Sequence, residues 1–208
     1  MKLFLTSANV NENLQQEFFK LVGKNPAEVK FALIENAADP YPEEKKEFVY
    51  ETRAVLEASP MQIERIDLRE FGPGKKNIYE KLKHFDVVWI GGGNTFYLRW
   101  ILRESTLDTL LPKLLEEGIV YAGGSAGSVI VCPSLEKYDV VDDPTKAPEL
   151  LKDGLCLIDL QIVPHWGYEK YQAKLQVIKD YYDNLNKKVV TLTDNQAFVL
   201  SNDELKII

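Results

Sequence analysis

The segment IVYAGGSAGSVIVCP, residues 119–133, runs from one apolar stretch through a glycine-rich turn into another. Its first half is typical of a buried strand, and its second half of the start of a helix. The same alternation of apolar runs and helical patterns recurs along almost the whole chain. Such alternation indicates a mostly parallel sheet with helices on both faces. The sequence therefore predicts an α/β fold, a three-layer sandwich around a mostly parallel sheet.

The remaining elements follow the same pattern. Apolar runs predict strands at 2–7, 29–38, 62–68, 86–94, 155–166, 187–194, 197–201 and 205–208. Helical spacing of apolar residues predicts helices at 11–24, 42–58, 76–85, 95–105, 107–118 and 168–185. Residues 134–154, rich in Asp, Lys and Pro, are typical of a long exposed loop, and the last strands are expected to pair antiparallel at one edge. No repeat or linker interrupts the pattern, so we expect one domain over residues 1–208.

Composition excludes several classes of partner. The net charge of -7 disfavours nucleic acid and anionic membranes, and no basic cluster offsets it. The apolar stretch at the N-terminus is too short for a signal-peptide core or a membrane span. Cys132 and Cys156 lie in apolar sequence, so we expect two buried thiols, a reducing compartment and a cytoplasmic protein. Two cysteines and two histidines without metal-ligand spacing predict no metal site.

Four short polar segments follow predicted strands. They are GGGN at 91–94, GGSAG at 123–127, PHW at 164–166 and TD at 193–194. Open parallel sheets bind ligands outside the carboxyl ends of their strands, so we expect these segments to share one rim. Together they supply a hydroxyl, an imidazole, a carboxylate and backbone amides, which are the components of an acyl-transfer site.

Ser125 is the candidate nucleophile. Gly123, Ser125 and Gly127 fit G-x-S-x-G, the strand–turn–helix motif that presents a nucleophilic hydroxyl on a sharp turn. The turn needs small neighbours because a larger side chain would clash with the adjoining strand or helix. A glycine-rich turn with a capping serine would give the same short motif, so the interpretation also requires a base.

Histidine is the usual base for a serine, and the chain has two. His84 lies on a predicted surface helix just before the amino end of a strand, which is the wrong rim. His165 follows an apolar strand on the expected rim and is the candidate base. A hydrogen-bonded core histidine is the alternative reading of His165.

The third member of a triad would hold the histidine tautomer and stabilise the imidazolium. Asp194, at the end of a predicted strand, is favoured, although TDN is also ordinary turn sequence. Asp139, in the loop after the predicted elbow helix, is the rival. Asp142 and Asp143 lie in the same loop beside Pro144 and are expected to be solvated.

Candidate binding groups complete the predicted site. The amide of Gly92 or Gly93, with that of Ala126, could form an oxyanion hole; a tight turn requiring positive φ would explain the glycines equally well. Asn94, in the same segment, and Trp166, beside the candidate histidine, are expected to contact substrate.

The segments IGGGNTFYL (90–98), GGSAGSVIVCP (123–133) and VPHW (163–166), in this order and at these separations, resemble the aspartyl dipeptidase (peptidase E) family of serine peptidases. Cyanophycinase is a more distant relative, and the resemblance covers nearly the whole chain. It implies a fold like that of the class I glutamine amidotransferases, with serine in place of their elbow cysteine. It also implies a serine nucleophile and a histidine base, matching Ser125 and His165, no cofactor, and an acidic residue matching Asp139 or Asp194.

One departure from the family bears on substrate choice. Family members that cut after an N-terminal aspartate carry an arginine in the segment after the catalytic histidine, which pairs with the substrate carboxylate. The corresponding segment here, PHWGYEKYQAKLQ (164–176), has no arginine. Lys170 and Lys174 are the candidate substitutes, but lysine lacks the bidentate fork of arginine. We therefore expect a small peptidase of different specificity.

The sequence thus predicts a serine peptidase acting on short peptides. Two alternatives stay open: an esterase or amidase using the same triad on a small molecule, and a non-catalytic binding or regulatory protein on this scaffold. A homodimer is also possible, because Tyr168, Tyr171, Tyr181 and Tyr182 fall on one predicted helix whose face is expected to be exposed.

Overall fold

The computed structural model describes residues 1–202 and 204–208. The strands are β1 (Lys2–Thr6), β2 (Lys30–Ile34), β3 (Gln62–Arg65), β4 (Val87–Ile90), β5 (Val120–Gly124), β6 (Gln161–Val163), β7 (Val189–Thr191), β8 (Ala197–Ser201) and β9 (Glu204–Ile207). The α-helices are α1 (Glu12–Val22), α2 (Glu47–Glu57), α3 (Ile78–Leu82), α4 (Thr95–Glu104), α5 (Leu107–Glu116), α6 (Ala126–Val129) and α7 (Glu169–Asn184). Short 3-10 helices lie at Pro26–Glu28, Asn36–Ala38, Glu43–Lys45, Leu68–Glu70, Tyr138–Val140 and Pro144–Lys146.

The main sheet has seven strands in the order β3-β2-β4-β5-β1-β8-β9. The strands from β3 to β1 are parallel to their neighbours. β8 is antiparallel to β1, and β9 is antiparallel to β8. The prediction of a mostly parallel sheet with an antiparallel edge is therefore confirmed.

Both faces of this sheet are covered. Successive strand residues point to opposite sides, and the residues on both sides are buried. In β1, Leu3 and Leu5 belong to one buried cluster, whereas Phe4 belongs to the other. Phe18 of α1 packs edge-to-face on Phe4 with ring centroids 5.2 Å apart. Full burial of a side chain such as Phe18 contributes about 1.5–3 kcal/mol. The two clusters make the fold a three-layer sandwich.

Local signals in the sequence set the ends of α1. Asn11 accepts hydrogen bonds from the backbone N–H groups of Asn13 and Leu14 at 3.1 and 3.3 Å. These bonds satisfy amides that have no partner within the helix. Gly23 ends the helix in the left-handed conformation, with φ of 77°. The helix predicted over 11–24 is therefore confirmed, with Asn11 as its cap.

The strands β6 and β7 do not join the main sheet, contrary to the sequence prediction. They form a separate two-stranded parallel sheet. Only Gln161–Val163 of the predicted strand 155–166 is extended in this way. Residues 155–157 instead donate hydrogen bonds to the carbonyls of Ile130, Cys132 and Val131. This pairing, together with Pro133, ends α6 at Val129, after only four residues.

Residues 134–154 are packed rather than an exposed loop throughout. Leu135, Tyr138 and Ala147 are buried, and the hydroxyl of Tyr138 donates to the carbonyl of Ile162. The packing follows from an apolar residue at nearly every turn of this segment. The interpretation of residues 134–154 as solvated loop was therefore wrong at these positions.

The two cysteines differ in burial. Cys132 is buried, and burial raises the pKa of its thiol to about 12. Cys156 is exposed, so the expectation of two buried thiols was wrong for it. Both are free thiols.

The aromatic face predicted on α7 is largely covered. Tyr182 is buried, and its hydroxyl donates to the carbonyl of Glu136 at 2.8 Å. Tyr171 and Tyr181 are partly buried against the core, whereas Tyr168 is exposed. The homodimer stays a prediction. The exposed aromatic face from which it was inferred is mostly packed against the core. In the part of the chain described, no helix is long and apolar enough to cross a membrane.

Candidate active site

Ser125 lies on the sharp turn between β5 and α6, with φ of 51° and ψ of −112°. Close backbone approaches explain the glycines around it. A Cβ on Gly123 would lie 2.5 Å from the carbonyl oxygen of Gly127, and a Cβ on Gly127 would lie 1.9 Å from that of Ile90. Both separations are shorter than atoms tolerate, so the G-x-S-x-G pattern is a packing requirement of the turn.

The imidazole of His165 joins the Ser125 hydroxyl to a carboxylate. His165 Nε2 lies 2.9 Å from Ser125 Oγ, and His165 Nδ1 lies 2.7 Å from Asp194 Oδ1. The hydrogen bond from His165 is the main reason that the pKa of Asp194 is lowered, against the effect of burial. An ionised carboxylate only accepts hydrogen bonds, so we assign the imidazole proton to Nδ1 and leave Nε2 as the acceptor for the hydroxyl.

Ser7, which sequence reasoning missed, connects the same groups. Its hydroxyl donates to Asp194 Oδ1 at 2.7 Å and accepts from the backbone N–H of His165 at 2.6 Å. Ser7 is fully buried at the carboxyl end of β1. The signal was available, since Ser7 is the polar residue at the end of the predicted strand 2–7, and the four polar segments also lie at the ends of predicted strands.

Strand register brings these distant residues together. In the parallel pair β1–β5, Thr6 lies opposite Gly124, so the chain continues into Ser7 and Ser125 at the same rim. In the parallel pair β6–β7, Val163 lies opposite Thr191, so His165 and Asp194, which follow shortly after these residues, lie at the same end of this sheet. The site thus forms where the ends of two sheets meet, not along the rim of one.

The other titratable candidates lie elsewhere. Asp139 is exposed and has no hydrogen bond or ion pair among residues 1–202 and 204–208. The structure therefore places Asp194, not Asp139, beside the histidine. His84 is exposed and comes just before the amino end of β4, at the opposite rim of the sheet from Ser125, as expected.

A cavity of about 370 Å³ opens beside Ser125. Gly92, Gly93 and Ala126 line it, together with Ser125 and His165. A Cβ on Gly92 would lie 3.2 Å from Ser125 Cβ, so this backbone passes directly beside the hydroxyl. Within the described chain, the amides of Gly92, Gly93 and Ala126 donate to no protein acceptor. Three unpartnered amides around one hydroxyl are suited to binding a developing oxyanion.

Comparison with known proteins places the chain in a family. The model of peptidase family S51 matches residues 3–208.

The chain belongs to peptidase family S51.

Named relatives of this S51 chain are peptidases. It is 30% identical over 169 residues to the uncharacterized peptidase PM1590 of Pasteurella multocida, covering 80% of this chain and 79% of that one. It is 29% identical over 171 residues to peptidase E of Nostoc, covering 79% and 64%. The crystal structure of a candidate peptidase E protein from Listeria monocytogenes superposes with a TM-score of 0.84 at 26% identity, covering 100% of this chain and 97% of that one. The S51 chain is accordingly a peptidase, a hydrolase.

Three expected substrate contacts of this S51 peptidase are not found at the cavity. Asn94 is buried and caps α4: its Oδ1 accepts from the Tyr97 backbone N–H at 2.9 Å, and its Nδ2 donates to the Asp143 carbonyl at 2.9 Å. Both polar atoms of its amide are bonded within the protein and the residue is 1% exposed, so the prediction that it contacts substrate was wrong.

Trp166 and Lys170 are also outside the lining of the S51 cavity. Trp166 packs against the core of the second sheet, and its backbone N–H donates to Leu192. Lys170 is exposed on the first turn of α7, with Nζ 5.6 Å from the centroid of the Tyr171 ring. Neither residue lines the cavity beside the serine, so the structure supports neither predicted contact.

Asp142 lines the S51 cavity, although the sequence favoured a solvated position. Its Oδ2 accepts hydrogen bonds from the backbone N–H and the hydroxyl of Thr95, at 2.9 and 2.6 Å. Burial raises the pKa of the Asp142 carboxyl, whereas the bonds from Thr95 and the nearby His165 lower it. Asp143 is the solvated member of the pair.

Across residues 1–202 and 204–208, no three His, Cys, Asp or Glu side chains lie close enough together to hold a metal ion.

Proposed function

We propose that this S51 peptidase is a serine peptidase that hydrolyses short peptides through Ser125, His165 and Asp194. The observation that carries the proposal is the continuous hydrogen-bonded chain from Ser125 Oγ through the imidazole to Asp194, with distances of 2.9 and 2.7 Å. A nucleophile, a base within reach of its proton and a group that orients the base are the parts that acyl transfer requires.

The reaction follows from that geometry. His165 Nε2 takes the proton of Ser125 as Oγ attacks the scissile carbonyl carbon, and the Asp194 carboxylate stabilises the imidazolium that results. The amides of Gly92 or Gly93 and of Ala126 donate to the oxyanion. The imidazolium then protonates the leaving amine, which departs as the peptide bond breaks and the acyl-enzyme forms. Water activated by His165 hydrolyses the ester and restores Ser125.

The cavity supports short substrates. A volume of about 370 Å³ lies near the lower end of the range for small-molecule sites. It would hold one or two residues of a peptide rather than a long segment of extended chain.

A fluorophosphonate probe tests the nucleophile. It should label the folded protein at Ser125, and Ser125→Ala should abolish labelling without loss of fold. Equal labelling of the Ser125→Ala variant would remove Ser125 from the mechanism. A panel of dipeptides and simple esters then separates a peptidase from an esterase, and turnover of the dipeptides is the expected result.

The two free thiols support a cytoplasmic location for the enzyme. Fractionation of cells that produce the protein tests this, and recovery from an oxidising compartment would contradict it.

A further inference from the structure

The cavity beside Ser125 contains a carboxylate that the proposed hydrolysis does not use. Asp142 Oδ2 is bound by Thr95, but Oδ1 has no hydrogen-bond partner within the described residues. In that same part of the chain, no Lys or Arg side chain forms an ion pair with Asp142. Asp142 is partly buried, and a partly buried carboxylate without a cation is unfavourable until a bound cation pairs with it.

Aromatic side chains share the cavity with this carboxylate. Tyr41, Phe48 and Tyr171 line the same cavity, and the rings of Tyr41 and Phe48 are 6.1 Å apart in an edge-to-face arrangement. Burial, and then the charge of Asp142, raise the pKa of Tyr41, which keeps its phenol neutral beside the carboxylate. Aromatic faces attract an ammonium group and also accept apolar side chains.

The charges around the cavity have one sign. Asp142 and Glu51 are the acidic residues in its lining, and no Lys or Arg is found among the described residues that form it. His165 is the only lining side chain that becomes positive, and the proposed mechanism uses it. A substrate carboxylate would therefore be buried beside like charge with no cation to pair with it, which is strongly unfavourable.

The position of Asp142 fits the amino end of a substrate. Its anchor, Thr95, is two residues after Gly93, so the two backbones are at most about 7 Å apart. The nitrogen of an N-terminal residue is two bonds from the carbonyl carbon of that residue. With that carbonyl oxygen held at Gly93, the α-ammonium of the same residue lies in the cavity that Asp142 also lines, and we place it against the Asp142 carboxylate.

We propose that Asp142 binds the free N-terminal ammonium of the peptide substrate, and that the surrounding aromatic cavity accepts a neutral first side chain and rejects an acidic one. This proposal rests on the proposed hydrolysis at Ser125. It makes the substrates short peptides with an unblocked amino end, cleaved after a first residue that is apolar or aromatic.

Binding to the Ser125→Ala variant tests the proposal without turnover. The ligands are phenylalaninamide, N-acetylphenylalaninamide, N-acetyllysinamide and the α-amide of aspartate, measured by calorimetry. Phenylalaninamide should bind at least tenfold more tightly than each of the other three, because a hydrogen bond between charged groups is worth about one to two orders of magnitude in affinity. Adding Asp142→Asn should remove the preference for the free amine. Asparagine retains an oxygen for Thr95, so the fold should persist.

Asp143→Asn is the matched control, since it removes the same charge from an exposed neighbour. It should leave the preference for phenylalaninamide unchanged. Equal binding of the free and acetylated amides, tighter binding of the aspartate amide, or no binding of phenylalaninamide at millimolar concentration would each overturn the proposal. Tightest binding of N-acetyllysinamide would overturn it as well, by assigning Asp142 to a side-chain ammonium.

Kinetics of the otherwise unmodified enzyme separate this proposal from the one on which it rests. Asp142→Asn should lower kcat/KM at least tenfold for phenylalanyl dipeptides but not for their N-acetyl forms. If the fluorophosphonate probe does not label the parent enzyme, that result would instead contradict the role of Ser125. Labelling of the parent enzyme with no difference between free and blocked dipeptides would contradict only the role of Asp142.

Discussion

Ser125 and His165 both have positive φ, of 51° and 59°, in the region that residues other than glycine rarely adopt. Such conformations cost about 1–3 kcal/mol each and persist where surrounding contacts hold them. The backbone N–H of Ser125 donates to Thr6 O, and that of His165 donates to Ser7 Oγ. The end of β1 thus fixes the backbone of both the proposed nucleophile and the proposed base.

Substituting each candidate for the acidic member of the triad distinguishes Asp194 from Asp139, the two carboxylates that the sequence left open. Asp194→Asn should lower kcat about 10³- to 10⁴-fold, because an amide can donate to Nδ1 and favour the wrong tautomer. Asp139→Asn should leave kcat unchanged, since Asp139 is exposed and Asp194 is the carboxylate bonded to the imidazole. Steady-state kinetics on one dipeptide checks both, and a large loss in the Asp139 variant would contradict the assignment.

Ser7→Ala should impair activity through its two neighbours rather than through substrate. The variant loses the hydroxyl that accepts from the His165 backbone and donates to Asp194. We expect a fall of about tenfold to a hundredfold in kcat with little change in KM, in line with the loss of one or two hydrogen bonds to charged or buried groups. Fluorophosphonate labelling should slow in parallel.

The proton NMR signal of the His165 Nδ1–H separates positioning from a general loss of stability. In the parent enzyme this proton should resonate far downfield, and Ser7→Ala should shift or broaden it while the core signals stay in place. Ser7→Thr, which retains a hydroxyl, should recover part of the activity. An unchanged Nδ1–H signal in Ser7→Ala would contradict the positioning role.

At single residues, the sequence located side chains by their place at strand ends, and the structure brings Ser125, His165 and Asp194 within hydrogen-bond distance of one another. This rule failed for Asn94, whose amide is used to cap a helix, because capping and substrate binding require the same residue type. It also failed for Asp142, since nothing local shows that residues 134–154 pack against the cavity.

At the scale of elements, the elbow depends on how closely β5, α6 and β4 approach. Gly127→Ala should lower the free energy of unfolding by about 1–3 kcal/mol, because its Cβ would meet the backbone carbonyl of Ile90 at 1.9 Å and backbone cannot give way cheaply. Gly91→Ala is the control, since its Cβ would meet nothing closer than 3.6 Å. Urea denaturation measures both, and equal losses of stability in the two variants would contradict the packing argument.

The alternation of strands and helices could be predicted because hydrophobic periodicity is a local property of the sequence. The pairing of strands could not be predicted, because it depends on segments far apart in the chain. β1 to β5 and β8 to β9 follow the predicted order of elements. The apolar run before His165 looked like another strand of the main sheet, but only three of its residues pair, and they pair with β7. Periodicity reports that a segment is buried, and it carries no information on which sheet covers it.

At the scale of the whole molecule, segments far apart in sequence meet at the site, whereas a separate cluster of charged residues lies around Asp67. In that cluster Asp67 accepts hydrogen bonds from Arg69, with Nη2 at 2.6 Å, and from Asn36 Nδ2 at 3.0 Å. These bonds, chiefly those from Arg69, lower the pKa of Asp67 to about 2. Stability and the proposed hydrolysis should therefore respond to acid through different groups.

Asp67→Asn should make the protein less sensitive to acid between about pH 4 and pH 2. The folded-state pKa lies below the unfolded value of about 3.9, so the ionised Asp67 stabilises the fold above that pH, and the contribution is lost as pH falls towards 2. The pair is partly exposed to solvent, so the effect on the free energy of unfolding should be modest. The gap in that free energy between parent and variant should be widest above pH 4 and close towards pH 2, as measured by urea titrations at steps across this range. Asp139→Asn reports the effect of removing an exposed charge alone, and a gap that widens on acidification would contradict the role of Asp67.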